Sequence, residues 1–340
     1  MPDEISLLAP LTNTGTGGGE KLQIRRVYLE VSEGADAGVD YTATSGRVVI
    51  GTGDGCDLRL TDGTVSRYHC ELVVQANGTV RAMDLGSRNG TLVDGVWVER
   101  CLLHEGAVIA LGNARLRFSG EHGWLTLEVS AAAKFGPLRG ISLVMRRVFF
   151  SLDIASQNLR PVLLEGEIGT GKEAAAMAIH ANSAVKTGPV RVIDCGRLSD
   201  EVNATANGTG LASAPGGTLV LANVELLSLE QQKMVSHLIE AAQTRVIATT
   251  TRPLGQEVNA GRMRGSFYRQ LSQQTLVMPP VRDRIEDLPL LLDEVVTSLQ
   301  MDPAVFAQSS RHGKLLEKLQ RHRWPGNLPE LRAYIRTAIA

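Results

Sequence analysis

A glycine-rich loop that ends in a lysine is the stretch of this sequence best suited to chemistry. Residues 161–173 read PVLLEGEIGTGKE, an apolar run followed by Gly166, Gly169, Gly171 and Lys172. Glycines permit backbone conformations closed to other residues, so successive N–H groups can converge on an anion, and the lysine adds positive charge. The Ala-rich stretch that follows predicts a helix whose N-terminus also favours negative charge. The spacing G-x4-G-K after a strand is typical of a phosphate loop.

We expect this loop to bind ATP or ADP, weakly, through its backbone donors and its lysine. Glu173 takes the position where a Ser or Thr hydroxyl would help to hold magnesium. The sequence therefore gives little support for bound magnesium and predicts no metal ligand. The simpler alternative is a glycine-rich turn between a strand and a helix. The predicted nucleotide-binding residues are Gly166, Glu167, Gly169, Thr170, Gly171, Lys172 and Glu173.

The composition limits what the rest of the chain can be. Its 340 residues suggest two or three domains, and with 43% hydrophobic residues, 21% charged residues and a net charge of −1 it is neither wholly disordered nor globally basic. The cysteines show no C-x-x-C spacing, which argues against a disulfide framework or a zinc site. The absence of a transmembrane-length apolar run and of signal-peptide features predicts a cytoplasmic protein with no membrane partner.

Short apolar or alternating runs separated by turn residues fill the first part of the chain, from Gln23 to about Val129. Strands with this spacing are typical of an all-β sandwich. The Gly-rich stretch before them predicts a flexible leader, and the Ala-rich stretch after them predicts a linker. We therefore predict a leader over residues 1–20, a β-domain over 21–129 and a linker over 130–135.

Strand and helix signals alternate over residues 136–280, which predicts an α/β core around a parallel sheet. From Val281 onward the strand signals vanish, so residues 281–340 are predicted to form a small helical lid. The predicted strands are 161–165, 190–194, 217–221 and 245–249. The predicted helices are 140–152, 173–182, 228–242, 285–299, 314–321 and 330–339.

Four short motifs in the β-domain resemble those of the forkhead-associated (FHA) domain. They are Gly51-Thr52, Ser66-Arg67-Tyr68-His69, Ser87-Arg88-Asn89-Gly90-Thr91 and Leu111-Gly112. The resemblance covers roughly residues 25–120. It implies an FHA sandwich that binds phosphothreonine peptides, with His69 and the turn glycines in structural roles. The implied phosphopeptide-binding residues are Ser66, Arg67, Arg88 and Asn89.

These residue types suit a bound phosphopeptide. Ser66 can donate to a phosphate oxygen, and Arg67 can supply a charge-assisted bond. Arg88 allows a further contact, and the Asn89 amide can pair with a peptide backbone. Thr52 departs from the pattern, because the family often has arginine there and the loss of one such bond costs roughly 1.5–3 kcal/mol. The alternative role is docking of an unphosphorylated protein.

The region 136–340 resembles the AAA+ domain of sigma-54-dependent transcriptional activators, because its motifs occur in the order seen in that family. These motifs are the phosphate loop, VIDC at 192–195, GGTLVL at 216–221, RVIA at 245–248, MPPVRDRIEDLPL at 278–290 and WPGN at 324–327. The resemblance implies a hexameric ATPase that remodels sigma-54 RNA polymerase. Some members of that family carry an N-terminal FHA domain as a sensor.

The position where this family holds magnesium and activates water departs from the pattern. The family's strand ends there in Asp-Glu, whereas this one ends in Ala222-Asn223. Glu225 is a candidate replacement, but two residues along a strand move a side chain by about 7 Å. We therefore predict no catalytic residue.

Three further departures concern side chains that contact nucleotide. The sensor strand ends in Thr250-Thr251 instead of Thr-Asn. Arg264 matches the first of two trans-acting arginines and is a candidate for that role, whereas Gln270 stands at the second. Pro329 takes the place of an arginine that contacts nucleotide.

The segments that would contact partners also differ from the family. RLSDEVNATANGTGLASAP, after Cys195, replaces a longer segment with the GAFTGA loop that touches sigma-54, and a second loop before the sensor strand, at 240–244, is missing. The chain ends at Ala340 without a helix-turn-helix. We therefore expect no engagement of sigma-54 and no direct DNA binding, while self-association and association with AAA+ relatives stay open.

These observations favour a signalling or regulatory protein whose FHA domain reads phosphothreonine in a partner protein. Its AAA+ module would be a degenerate ATPase that binds ATP or ADP but is deficient in hydrolysis, because phosphoryl transfer depends on the missing groups. One alternative is an ATP-hydrolysing, sigma-54-interacting transcriptional regulator. Another is an α/β region that serves as a structural platform alone.

Overall fold

A computed structural model describes residues 19–75, 78–120, 123–197, 214–241, 244–308 and 310–339. The chain divides into two units: unit 1 is the chain up to Glu128 with Pro253–Arg269, and unit 2 is Val129–Arg252 with Gln270–Ala340. The predicted leader apart from its last two residues, most of the segment at the GAFTGA position and part of 240–244 lie outside the described residues. The domain boundaries drawn from the sequence stay predictions.

The first part of the chain forms short strands because its apolar residues alternate with polar ones. In β12, for example, Leu116 and Phe118 are buried while Arg117 between them is exposed. The strands are β1 (Gly19–Arg25), β2 (Tyr28–Glu33), β3 (Asp40–Thr42), β4 (Arg47–Gly51), β5 (Leu58–Arg59), β6 (Cys70–Val74), β7 (Val80–Asp84), β8 (Thr91–Val93), β9 (Val96–Val98), β10 (Arg100–Leu103), β11 (Val108–Leu111), β12 (Ala114–Ser119) and β13 (Trp124–Ser130).

Two sheets make up the sandwich. One has six strands in the order β3-β2-β12-β11-β8-β9, and the other has five in the order β10-β7-β6-β4-β5. Antiparallel pairing aligns Ile50 of β4 with Cys70 of β6, and Cys70 in turn with Asp84 of β7. This register brings the ends of β4, β6 and β7 together, where the predicted phosphopeptide loops begin. The predicted all-β FHA sandwich is confirmed.

Unit 2 is built on a five-stranded sheet in the order β17-β18-β19-β16-β20, in which every neighbouring pair runs parallel. Its strands, with a small hairpin of β14 and β15, are β14 (Lys134–Phe135), β15 (Leu138–Arg139), β16 (Val162–Glu165), β17 (Val190–Asp194), β18 (Thr218–Ala222), β19 (Arg245–Thr250) and β20 (Thr275–Val277). The four predicted strands agree with β16 to β19 to within one residue at each end.

Helices follow the strands of unit 2 and then form the lid. They are α1 (Leu143–Ser156), α2 (Lys172–Ala181), α3 (Leu229–Glu240), α4 (Leu254–Asn259), α5 (Gly265–Leu271), α6 (Leu288–Ser298), α7 (Pro303–Ala307), α8 (Ser310–Arg321) and α9 (Asn327–Ile339). Helices α1 and α2 share an apolar core with the sheet, while α6 to α9 enclose a second core around Trp324. The indole N–H of Trp324 donates to the Leu319 carbonyl at 2.8 Å. The predicted AAA+ α/β core with a helical lid is confirmed.

Beyond residue 130, six strands and α-helices have no counterpart among the sequence predictions. They are strands β14, β15 and β20 and helices α4, α5 and α7, each seven residues or shorter. Helix α4 and most of α5 belong to unit 1, although the chain between β19 and β20 contains them. Within the described ranges, no helix is long and apolar enough to cross a membrane, and no group of three or more His, Cys, Asp or Glu residues is arranged to hold a metal ion.

Gly51 at the end of β4 allows the chain before β6 to lie close against it. A methyl group at Gly51 would overlap the backbone carbonyl oxygens of Ser66 and Arg67, whereas one at Gly63 would meet no atom within 4 Å. We expect Gly51→Ala to lower the free energy of unfolding by about 1–3 kcal/mol. Gly63→Ala is the matched control and should change it by less than about 0.5 kcal/mol. Urea unfolding of both variants is the measurement, and equal stabilities would contradict the close approach.

Candidate functional site

His69 joins the two loops that carry the predicted phosphopeptide residues. Its fully buried imidazole accepts a hydrogen bond at Nδ1 from the Ser66 N–H, at 3.0 Å. Since Nδ1 is an acceptor, the proton is on Nε2, which donates to the Gly90 carbonyl at 3.0 Å. Burial lowers the pKa of His69, against the opposing effects of the Gly90 carbonyl and of Asp84. The ring is therefore neutral, as both hydrogen bonds require.

Asp84 fixes the second loop from the end of β7. Its carboxylate accepts hydrogen bonds from the Ser87 N–H at 2.9 Å, from the Ser87 hydroxyl at 2.6 Å and from the Thr91 hydroxyl at 2.7 Å. Ser87 and Thr91 flank Arg88 and Asn89. Both ends of the loop are thus held by one carboxylate, which limits the positions that the two central residues can take.

Three of the four predicted phosphopeptide residues meet where these loops touch. The Arg88 N–H donates to Ser66 Oγ at 2.9 Å. The Asn89 amide donates to the Thr64 carbonyl at 2.8 Å. The Arg88 and Asn89 side chains are exposed and Ser66 is partly exposed. The loops thus bring a hydroxyl, an amide and the backbone of an exposed arginine together, which suits an anionic group carried by an extended peptide.

Arg67, the fourth predicted residue, is engaged elsewhere in unit 1. Its guanidinium Nη2 donates to the Val258 carbonyl at 2.6 Å. Asn259, the next residue, donates from Nδ2 to the carbonyls of Tyr68 and Leu85. The structure therefore brings Ser66, Arg88 and Asn89 together but directs Arg67 to the end of helix α4.

The predicted nucleotide-binding residues lie in the loop between β16 and α2 and in the first turn of α2. Gly169 and Gly171 have φ angles of 78° and 99°, in the left-handed region that favours glycine. Lys172 Nζ donates to the carbonyls of Gly166 at 2.7 Å and Glu167 at 2.8 Å. Burial lowers the pKa of Lys172, while neighbouring carboxylates, foremost that of Glu225, act in the opposite direction. The loop and the start of α2 have the backbone form and the cation that a phosphate group needs.

The lid contacts the phosphate loop through Glu167. The Glu167 carboxylate accepts two hydrogen bonds from Arg282, one at 2.8 Å from Nη1, and a third from Asn327 Nδ2 at 3.2 Å. This pairing raises the pKa of Arg282. The Leu328 N–H donates to the Gly169 carbonyl at 3.1 Å. Loop and lid are therefore bonded through both side chains and backbone.

Pro329 belongs to the same contact. A methyl group at Gly169 would lie 2.7 Å from its ring and 2.7 Å from the Gly326 carbonyl oxygen. The ring thus packs on the phosphate loop where the related family has a cationic side chain. An apolar ring cannot donate to a phosphate oxygen.

The carboxyl ends of β18 and β19, next to the phosphate loop, carry polar groups that are hydrogen-bonded to one another. Ala222 ends β18 and is buried, and Asn223 donates from Nδ2 to Asp194 at 3.3 Å. Glu225 accepts at Oε1 from the Thr251 N–H at 3.0 Å and from its hydroxyl at 2.7 Å. Glu225 is thus bound to Thr251, and β18 ends without the Asp-Glu pair that phosphoryl transfer would use.

Arg264, the candidate trans-acting arginine, lies just before α5 in unit 1 and is partly buried. Gln270, at the position of the second such arginine, donates to Glu240 in unit 2 at 3.0 Å. A neutral amide does not stabilise the charge that develops on a transferring phosphoryl group as a guanidinium does. The role of Arg264 stays a prediction.

Two buried charged residues of unit 2 make hydrogen bonds that the sequence did not reveal. Arg284 is almost fully buried and donates to the Thr170 carbonyl at 3.4 Å, and burial lowers its pKa to about 10. Asp287 accepts hydrogen bonds from the Ile141 N–H, the Ser142 N–H and the Ser142 hydroxyl before α1. The closely spaced charges of RDRIED at 282–287, between two apolar stretches, are the sequence feature that could have indicated buried charged residues.

Two parts of the chain match known protein families. Residues 140–281 match the family model of the sigma-54 interaction domain. Residues 30–122 match the model of the cytoplasmic domain of an inner membrane component of T3SS, an FHA-like domain. The resemblance to FHA domains and to the AAA+ module of sigma-54 activators is therefore confirmed.

Similar proteins include transcriptional regulators. Regulatory protein LuxO of Vibrio cholerae serotype O1 is 29% identical over 252 residues, which cover 66% of this chain and 46% of LuxO. Transcriptional regulatory protein ZraR of Klebsiella oxytoca is 30% identical over 242 residues, which cover 61% of this chain and 53% of ZraR. The chain thus spans about half the length of these relatives. The crystal structure of NtrX from Brucella abortus in complex with ATP shares the fold, with a TM-score of 0.51 and 23% identity over 60% of this chain and 53% of that chain.

Acidification should weaken unit 1 through His69. Because burial lowers the pKa of His69 below its ordinary value of 6.5, its contribution to stability is complete above that value and is lost as the pH falls through the lowered pKa. His104 is the matched control, since hydrogen bonds to Glu105 and Asp94 raise its pKa and reverse the sign. We expect the loss of stability between pH 7.5 and pH 5.5 to be smaller in His69→Gln than in the wild type, and larger in His104→Gln. Urea unfolding at both pH values is the measurement, and equal losses in the two variants would contradict this role of His69.

Proposed function

We propose that this chain is a regulatory protein that reads phosphothreonine through its FHA-like domain and binds ATP or ADP through its AAA+ module without efficient hydrolysis. The observation that carries the first part is the meeting of Ser66, Arg88 and Asn89 on loops that His69 holds together. The second part rests on a complete phosphate loop beside a sheet edge that lacks the groups for turnover.

Phosphothreonine fits the first site because of its charge and its acceptor oxygens. A phosphate group carries about −1.5 to −2 charges at pH 7 and accepts hydrogen bonds on three oxygens. Ser66 and Arg88 can donate to these oxygens, and the exposed Asn89 amide can pair with the peptide backbone beside the phosphothreonine. These interactions support a phosphothreonine-containing protein as the partner.

The phosphate loop fits a nucleotide's phosphates because Gly169, Gly171 and the start of α2 give it converging N–H groups, with Lys172 as the cation. A bound ATP would supply a transferable phosphoryl group. Its transfer draws on a metal ligand, a base and a trans-acting cation, which this chain replaces by Ala222, Asn223 and Gln270. The NtrX structure was solved with ATP, so this fold can hold nucleotide.

We further propose that the chain does not engage sigma-54, because its sequence lacks the GAFTGA loop at residues 197–215. The alternative, an ATP-hydrolysing regulator of sigma-54 polymerase, predicts ATP-dependent open-complex formation at a sigma-54 promoter. Transcription assays with the purified chain distinguish the two hypotheses. ATP-dependent open complexes at the sigma-54 promoter would overturn this part of the proposal.

Phosphothreonine peptides from a library should bind the wild-type chain, and dephosphorylated copies of the same peptides should not. Arg67→Ala and Arg88→Ala each remove a charge-assisted donor and should weaken binding by about ten- to a hundredfold. Arg117→Ala removes an exposed arginine from β12 and serves as the control, with no expected change. Titration by fluorescence anisotropy is the measurement. Unchanged affinity in both site variants would show that the site is wrongly assigned.

ADP should bind the wild-type chain weakly and Lys172→Ala more weakly still, because the lysine supplies the loop's positive charge. Phosphate release from ATP should stay near background in both, with a shallow dependence on magnesium, because the end of β18 lacks the metal ligand and the base. Lys186→Ala, at an exposed lysine of unit 2, is the control. Isothermal titration and a phosphate-release assay are the measurements. Robust phosphate release by the wild type that disappears in Lys172→Ala would support the alternative hypothesis that the chain is an active ATPase.

A further inference from the structure

We infer that the segment Pro253–Arg269 is an internal ligand of the two phosphothreonine-reading loops, residues 66–69 and 85–91. The segment competes with a phosphothreonine peptide for Arg67. The competition rests on the proposed reading function, whereas the docking of the segment rests on contacts within unit 1. These contacts involve both reading loops, through Arg67 and Tyr68 on the first and Leu85 on the second.

Arg67 is the group that the two ligands would share. Its guanidinium donates to the Val258 carbonyl at the end of α4, at 2.6 Å. A guanidinium is a planar fork that binds a phosphate best with two parallel N–H groups. Arg67 therefore has to turn from the neutral carbonyl in order to bind a phosphate in this way. The doubly charged phosphate is the stronger acceptor of the two.

Further contacts hold the segment to the backbone and to a side chain of the two loops. Asn259 Nδ2 donates to the Tyr68 carbonyl at 2.5 Å and to the Leu85 carbonyl at 3.0 Å. Tyr268 meets the Tyr68 ring edge to face, with 4.8 Å between the ring centroids. Tyr68 follows Arg67 directly, and Leu85 lies three residues before Arg88. A peptide that moves either loop therefore strains the contacts of the segment.

The segment is packed as well as hydrogen-bonded. Leu254, Val258, Met263, Phe267 and Tyr268 are each no more than 4% exposed. A methyl group at Gly255 would lie 3.0 Å from the Tyr68 side chain, so α4 lies directly against the reading loop. Because the segment also contains Arg264, its release by a peptide would alter the surroundings of the candidate trans-acting arginine.

The test uses the full chain and variants of Asn259, which is not among the predicted phosphopeptide residues. Asn259→Ala removes the donor to both carbonyls, and Asn259→Leu replaces it by an uncharged apolar side chain of the same size. Both should bind a phosphothreonine peptide about two- to tenfold more tightly than the wild type, since the peptide then displaces a weaker competitor. Ser266→Ala changes an exposed residue of the same segment and should leave the affinity unchanged.

Amide hydrogen exchange over residues 253–269 supplies a second readout. Without peptide, Asn259→Ala and Arg67→Ala should exchange faster there than the wild type and Ser266→Ala. In the wild type, saturating peptide should accelerate the same amides. Peptide that slows their exchange or leaves it unchanged would overturn the competition, as would Asn259 variants that bind no more tightly.

The outcomes separate this inference from the proposed function. If no variant binds a phosphothreonine peptide, the reading function fails and the competition fails with it. If peptide binds but the Asn259 variants behave as the wild type does, the competition alone fails. Unchanged exchange in both Asn259→Ala and Arg67→Ala would overturn the docking itself, whether or not peptide binds.

Discussion

A buried polar group has to find its hydrogen bonds inside the protein, and both candidate sites are built on this constraint. In unit 1 the neutral ring of His69 bonds to the backbone at Ser66 and at Gly90, so that two loops distant in sequence are fixed to each other. In unit 2 the ammonium group of the buried Lys172 donates to the carbonyls of Gly166 and Glu167 within the phosphate loop. Leaving such a group unpaired costs about 1–3 kcal/mol, which makes these contacts hard to replace one at a time.

Local sequence patterns were sufficient to predict most of the strands of the parallel sheet. The strands β16, β18 and β19 contain continuous apolar runs, β17 alternates apolar and polar residues over its first three positions, and the sequence predicted all four to within one residue at each end. Strand β20 has three residues, too few to show a period, and α4 and α5 are short helices with glycines at 255 and 265. The two helices contact residues far away along the chain: α4 contacts Tyr68 and Leu85 through Asn259, and α5 contacts Tyr68 through Tyr268. A local pattern cannot contain that information.

The candidate sites show the same division between local and distant information. Motif spacing predicted a phosphate loop at residues 166–173, and the structure has a loop and a helix start there, because such a loop is continuous in sequence. It also named Ser66, Arg88 and Asn89, which the fold brings together. It could not predict that Arg67 donates to Val258, since nothing near Arg67 in the sequence marks that carbonyl. The pairing of Glu167 with Arg282 was hidden for the same reason, because it joins residues more than a hundred positions apart.

Binding and turnover draw on different parts of the same fold, so one can persist without the other. The phosphate loop recognises an anion chiefly with backbone N–H groups, whose direction depends on Gly169 and Gly171 keeping their left-handed conformations. Turnover needs particular side chains at fixed positions, because the charge of the transition state develops at fixed points in space. Under the proposed function, Ala222-Asn223 at the end of β18 would leave the loop's backbone path intact but would supply neither a metal ligand nor a base. In addition, Glu225 accepts two hydrogen bonds from Thr251 at Oε1, which hold its carboxylate beside that residue.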